Sequence, residues 1–239
     1  MGLFDFAFRS KGERALHKAA LHVQKYWEGK KLTNDAISHR QLGNFSEAAQ
    51  LLKKALLQYD YNPAATIIVG TLMMQDKPKE AEEFIRDFMD SPRGLEDTGT
   101  QIELLANLGS IYFRWYKKYD EAVEVYKKAL SVAKPEDLSE EAYAFCRSGV
   151  HRDLTLLYFE CLSVLPDKKE SKQNNVFTFY SIADKDKFVE YMKRSYEHCM
   201  ARVKMVPDDN ACLAIKESLE NLLITLATPN SFVVKTTTP

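Results

Sequence analysis

"LANLGSIYFRWYKKYDEAVEVYKKAL", residues 105–130, decides the fold. Apolar side chains recur every three or four residues on both sides of the polar stretch "RWYKKYD". That period marks two amphipathic helices joined by a tight turn. Leu105, Leu108 and Tyr112 share a face of the first helix, and Ala122, Tyr126 and Ala129 share a face of the second. Small Gly109 and Ala122 are expected to face each other and let the antiparallel helices approach, with Tyr112 and Tyr126 filling the space beside them.

The second half of this unit recurs upstream. "EAAQLLKKAL" at 47–56 matches "EAVEVYKKAL" at 121–130, and "KEAEEFIRDF" at 79–88 lies between them. Ala48 to Ala81 is 33 residues, and Ala81 to Ala122 is 41. Near-constant spacing of one helix pattern signals stacked helix pairs, each burying its apolar face on the next.

Here the chain resembles the tetratricopeptide repeat family. Leu105-x-x-Leu108-Gly109-x-x-Tyr112 is similar to the family's first-helix pattern. Tyr119-x-x-Ala122-x-x-x-Tyr126-x-x-Ala129, with Pro135 beyond, is similar to the second. The first copy keeps Gly43-x-Phe45-x-x-Ala48-x-x-x-Leu52-x-x-Ala55, the second is weaker, and the third holds one extra residue, placed in its turn. The resemblance covers about residues 30–135. It implies an all-α fold, a right-handed α-solenoid of antiparallel helix pairs with atypical C-terminal helices. It also implies a concave groove, lined by each repeat's first helix, that binds a peptide or helix of another protein.

The organisation expected is a single helical repeat domain over 1–239. A capping helix fills 1–29, stopped by Gly29; about three repeats fill 30–135. A degenerate repeat and capping helices follow over 136–229, with a polar surface loop at 166–183, and 230–239 is a loose tail. No central sheet is expected, because no stretch alternates with period two. The stripe Leu16, Ala19, Ala20, Val23 and Trp27 on the first helix is expected to pack on the following helices.

The groove wall follows from the wheel of the helix over 101–116. Glu103, Asn107, Ser110 and Arg114 point away from the apolar face. Counting back from Ala48 places Lys30, Asn34, Ile37 and Gln41 in matching positions. The resemblance implies that an Asn at the place of Asn34 and Asn107 bonds a bound peptide's backbone, since its amide both donates and accepts. Arg114 suits a partner's carboxylate. The expected partner-binding residues are thus Asn34, Gln41, Glu103, Asn107, Ser110 and Arg114.

Other functions lose support. His151-Arg152-Asp153-Leu154 spells the start of a kinase catalytic loop, yet the magnesium-holding Asn is replaced by Tyr158, and a Gly-rich loop and Asp-Phe-Gly are missing. Arg152 and Asp153 are expected on or near the surface of a helix. No hydrolase, Walker, zincin or EF-hand spacing occurs, so no catalytic residue, cofactor or metal ligand is expected. A formal net charge of −1 gives no pull toward nucleic acid. Residues 1–31 carry seven Lys/Arg against three Asp/Glu, the mark of solvated faces or of a basic end. The longest apolar run, residues 63–74, is too short for membrane insertion, and the reading is cytoplasmic. The four cysteines are expected as reduced thiols. The partner expected is another protein or peptide. Self-association is the alternative, suggested by the apolar last helix "CLAIKESLENLLITLA", and a helical enzyme of unrecognised site is the second.

Overall fold

The computed structural model describes residues 11–95, 97–164, 166–170, 177–182 and 185–227. Helices α1 (Lys11–Gln41), α2 (Phe45–Tyr59), α3 (Ala64–Met74) and α4 (Pro78–Asp90) come first, with a 3-10 turn at Pro92–Leu95. Next are α5 (Thr98–Ser110), which runs on into a π-helical turn at Ile111–Trp115, then α6 (Tyr119–Ser131) and α7 (Glu140–Val164). Strands β1 (Pro166–Glu170) and β2 (Phe177–Ile182) precede α8 (Lys185–Met205) and α9 (Asn210–Ala227). The chain divides into two compact units, Met1–Asn107 and Leu108–Pro239.

In the first unit α1 packs on α2, α2 on α3, and α3 on α4. The α1–α2 and α3–α4 pairs are closed by the same turn. Gly43 takes a positive φ of 78°, its N–H bonds to Arg40 carbonyl, and the Asn44 N–H reaches back to His39 carbonyl. Asp76 repeats this at φ 56°, with bonds from Asp76 to Met73 and from Lys77 to Leu72. These are left-handed helix ends that satisfy the last carbonyls while reversing the chain. Ala48 and Ala81 lie five residues beyond their turn residues, and both are 0% exposed. Their core neighbours Leu52, Ala55, Val69 and Ile85 are also buried.

The third pair uses the same device with a different accounting. Lys117 is left-handed at φ 55°, and Ala122, again fully buried, lies five residues on. The turn is therefore of the ordinary length. The extra residue that the sequence places in the turn is absorbed one step earlier, in the π-helical turn, where Tyr116 N–H bonds to Ile111 carbonyl. A single inserted residue in a helix is accommodated in this way without breaking it.

Gly109 faces the Tyr126 ring. A Cβ on Gly109 would stand 2.6 Å from the Tyr126 ring, so the glycine makes room for that ring one turn further along α6. Gly29 does not end a helix. It is buried inside the continuous 31-residue α1, where Tyr61 packs on its bare backbone. A side chain there would collide with Tyr61, which explains a glycine in mid-helix despite its cost.

In the second unit α7 packs on α6 and α8, and α9 packs on α8. Leu162, Phe188, Met192, Ile215 and Leu219 form one core cluster, so α9 turns much of its apolar face inward. Asp209 caps α9, its Oδ1 accepting the Cys212 N–H at 3.1 Å. The polar segment expected as a loop at 166–183 instead contains β1 and β2, paired antiparallel as a two-stranded ribbon. Residues 1–10 of the expected capping helix, residues 171–176 between the strands, and the tail 230–239 lie outside the described residues.

Glycine substitutions discriminate close approach from mere presence. Gly109→Ala should lower stability by about 1–3 kcal/mol, because the fully buried Tyr126 ring has nowhere to go. Gly149→Ala, on α7 with no atom within reach of a new Cβ, should raise it by about 0.5–1 kcal/mol. Denaturant melts of the two variants check both signs.

Candidate peptide-binding surface

Glu103 on α5 is the best-defined groove candidate in the first unit. Its residue surface is exposed, yet desolvation by the surrounding protein pushes its carboxyl above the usual range. The Thr66 hydroxyl beside it pulls the other way, and Asp97 adds to the rise. Asn107 on the same helix is half-buried, and Asn34 and Gln41 on α1 are exposed.

Ser110 and Arg114 lie in the second unit and meet Asp153 of α7. Ser110 Oγ donates to Asp153 Oδ2 at 3.0 Å and stands 3.1 Å from the Tyr126 hydroxyl. With one proton to give to Asp153, it accepts from Tyr126. Its hydroxyl is therefore engaged between helices and does not point outward as expected. Arg114 Nη2 lies 3.8 Å from Asp153 Oδ1, with half of its side chain exposed. Burial pushes the Asp153 carboxyl up, while Ser110, Arg114, Arg152 and Arg202 draw it back.

This places the His151-Arg152-Asp153 stretch. Asp153 is not at the surface: only 19% of its side chain is exposed. Arg152 is half exposed and lies 3.6 Å from Asp209, which Arg202 holds at 2.9 Å. His151 Nδ1 sits 3.0 Å from His198 Nδ1, and Tyr158 stacks on His198 with parallel rings. Two facing ring nitrogens share one proton, which bars both rings from carrying charge at once. Burial, then His151 and Arg194, push His198 down to about 4. His151 is lowered by burial and by Arg147. The motif thus belongs to an inter-helix polar layer. The signal available in the sequence was the helical spacing of buried Leu154, Leu157 and Cys161, which puts Asp153 beside that face.

The apolar cleft between α2, α3 and α4 has a volume of about 310 Å³ and is lined by Leu52, Leu56, Leu57, Ile68, Leu72 and Phe84, among others. A larger, more polar cleft of about 610 Å³ runs between α6, α7 and α8, past Tyr119, Tyr158, Cys161 and Tyr191. Neither was read from the sequence, because each collects residues from three helices. Among the described residues no group of three His, Cys, Asp or Glu is placed to hold a metal ion. No helix among them is long and apolar enough to cross a membrane. The four cysteines form no disulfide, and Cys161, Cys199 and Cys212 are buried.

Antiparallel helix pairs closed by one recurring turn define an all-α helical-repeat protein. Residues 104–141 match the tetratricopeptide repeat family model, so the chain carries a tetratricopeptide repeat there. No curated protein matches the sequence. Among solved structures the chain is similar to nearly identical TPR-like repeats of a Podosopora anserina chain assigned as kinesin light chain. Identity is 11%, the alignment covers 83% of this chain and 96% of that one, and the TM-score is 0.37. That likeness is too distant to argue from.

Two outcomes test the polar layer. Asp153→Ala removes the acceptor of Ser110 and should cost about 1–3 kcal/mol, whereas Asp153→Asn keeps an acceptor and should cost less; chemical denaturation measures both. The histidines set a pH dependence. An unfolded His takes up its proton near pH 6.5, while native His198 resists down to about 4. The unfolded state therefore binds more protons in that window, and stability falls as pH drops through it. The slope for one such group approaches about 1.4 kcal/mol per pH unit. Melting curves between pH 7 and 4.5 should show the loss, and His198→Gln should flatten it.

Proposed function

We propose that this chain is a non-enzymatic scaffold that binds a segment of another protein along the first helices of its repeats. The observation that carries the reading is Glu103, an acid kept partly desolvated yet open to solvent. A stray surface carboxylate is fully hydrated. One in a concave wall gains from a cation or donor that a ligand brings. Asn107, beside it in sequence register, supplies the amide that fits a peptide backbone, and Asn34 and Gln41 extend the polar wall on α1. Arg114 offers its exposed half to a carboxylate, and Ser110 with Asp153 holds it in place. The tetratricopeptide repeat at 104–141 supports the same reading.

The scaffold is proposed to act in the cytoplasm, without cofactor and without nucleic acid. Asp153, the residue a phosphotransferase would need as base, is tied to Ser110 and lacks the freedom to accept a substrate proton.

Proteins retained from lysate by the wild-type chain should be lost by a Glu103→Gln, Asn107→Ala, Arg114→Gln triple variant. Arg114→Gln is preferred to a charge reversal, which would set a second carboxylate beside Asp153. Titration of a retained partner should show about 1–3 kcal/mol lost per single variant, with melting temperature unchanged. Equal retention by wild type and triple variant would place the interface elsewhere.

A further inference from the structure

Helix α1 carries two stripes, and only one is used within the chain. Gly29, Thr33 and Ala36 face the unit's core and are buried. At about 100° per residue they centre on one direction. Leu16, Ala19, Ala20, Val23 and Trp27 centre roughly 120° away from it on the same wheel. They are all exposed: Leu16 by 73%, Val23 by 54% and Trp27 by 59%. The expected packing of this stripe on the following helices therefore does not occur. A straight helix cannot bring both stripes to one core, so the second must meet something else.

We propose that the second stripe pairs with the same stripe of a second copy, antiparallel, about a two-fold axis passing between Ala19 and Ala20. The sequence is self-complementary in that register. Leu16 of one copy meets Val23 of the other at equal heights, and Ala19 meets Ala20. Trp27 meets residue 12, a glycine. Small residues at the axis permit close backbone approach, and the largest ring falls where its partner offers least bulk. A parallel pairing would set Trp27 against Trp27 and leave the glycine unfilled.

Lys18 and Lys25 sit on the side of α1 opposite the stripe, and Lys25 is held by Asp60 at 3.0 Å, so both stay in water when the helices pair. Lys30 stacks on the Trp27 ring at 5.1 Å and closes the stripe at its C-terminal end. The exposed fractions of Leu16, Val23, Tyr26 and Trp27 amount to roughly 500 Å² per copy, given the 150–250 Å² carried by an aromatic side chain. Two copies reach roughly 1,000 Å², the lower edge of specific interfaces. The dimer is therefore weak. The stripe shares its face of α1 with Asn34 and Gln41, Asn34 lying two turns beyond Trp27, and the substitutions below leave both wall residues in place.

Sedimentation equilibrium of the full chain from about 1 to 200 μM reads the association directly. Wild type should climb from the monomer mass of 27.4 kDa toward twice that value. Leu16→Glu and Val23→Glu, both on exposed positions, should remain monomeric with unchanged melting temperature. Register is read by cysteine cross-linking: Leu16→Cys mixed with Val23→Cys should give the mixed dimer, and neither should link to itself. A wild-type chain that stays monomeric throughout overturns the proposal, and so does dimerisation that survives the two glutamates. Self-linking of either cysteine variant overturns the antiparallel register. Binding of the monomer to phosphatidylserine vesicles with loss in Val23→Glu would give the stripe to a membrane instead.

Discussion

Each of the first three helix pairs depends on one backbone constraint: a residue in the left-handed conformation, followed five positions later by an alanine with no exposed surface. Gly43 and Ala48, Asp76 and Ala81, and Lys117 and Ala122 are the instances within the pairs, and Asp60 with Ala65 repeats the offset between α2 and α3. The left-handed residue closes the first helix by satisfying its last carbonyls, and it aims the chain back along that helix. The alanine then lands where two helix backbones come nearest, and any larger side chain would force them apart. Because the offset is the same each time, variation elsewhere must be absorbed outside the turn. The π-helical turn at Ile111–Trp115 is that absorption.

Close approach has a second consequence in the third pair. The Tyr126 ring fits only because Gly109 has no side chain, and the ring's hydroxyl then reaches Ser110. Ser110 passes the contact to Asp153, and Asp153 to Arg114. A packing decision on one face of α5 thus sets the position of a half-exposed cation on another. The polar groups of this chain are satisfied in sequence, which keeps a buried carboxylate tolerable at neutral pH. The His151–His198 pair under Tyr158 is a second such layer, formed between α7 and α8.

How much of this was legible depends on distance along the chain. Helix spacing announced α2, α4, α6 and α7, since each has an apolar period of its own. Gly29 was misleading, because a glycine that admits a neighbour's ring and one that ends a helix look alike in sequence; only Tyr61, 32 residues later, separates them. The groove residues divide in the same manner. The exposure of Glu103 could be counted on a wheel, whereas the capture of Ser110 by Asp153 joins residues 43 apart. The polar composition of β1 hid the ribbon, whose pairing rests on backbone bonds that carry no residue signature.

The sequence by itself determined the repeat: three alanines at near-constant spacing, the turn before each, and the helix type of the segments around them. These follow from local sterics and from apolar periodicity, which act over a few residues. Tertiary structure alone decided which surfaces remain free. The stripe of α1 reads as core by every local rule, yet it stands in solvent because a different stripe, Gly29, Thr33 and Ala36, faces the neighbouring helices. One rigid helix presents only one side to a given neighbour, and the choice of side rests on contacts the helix cannot encode alone.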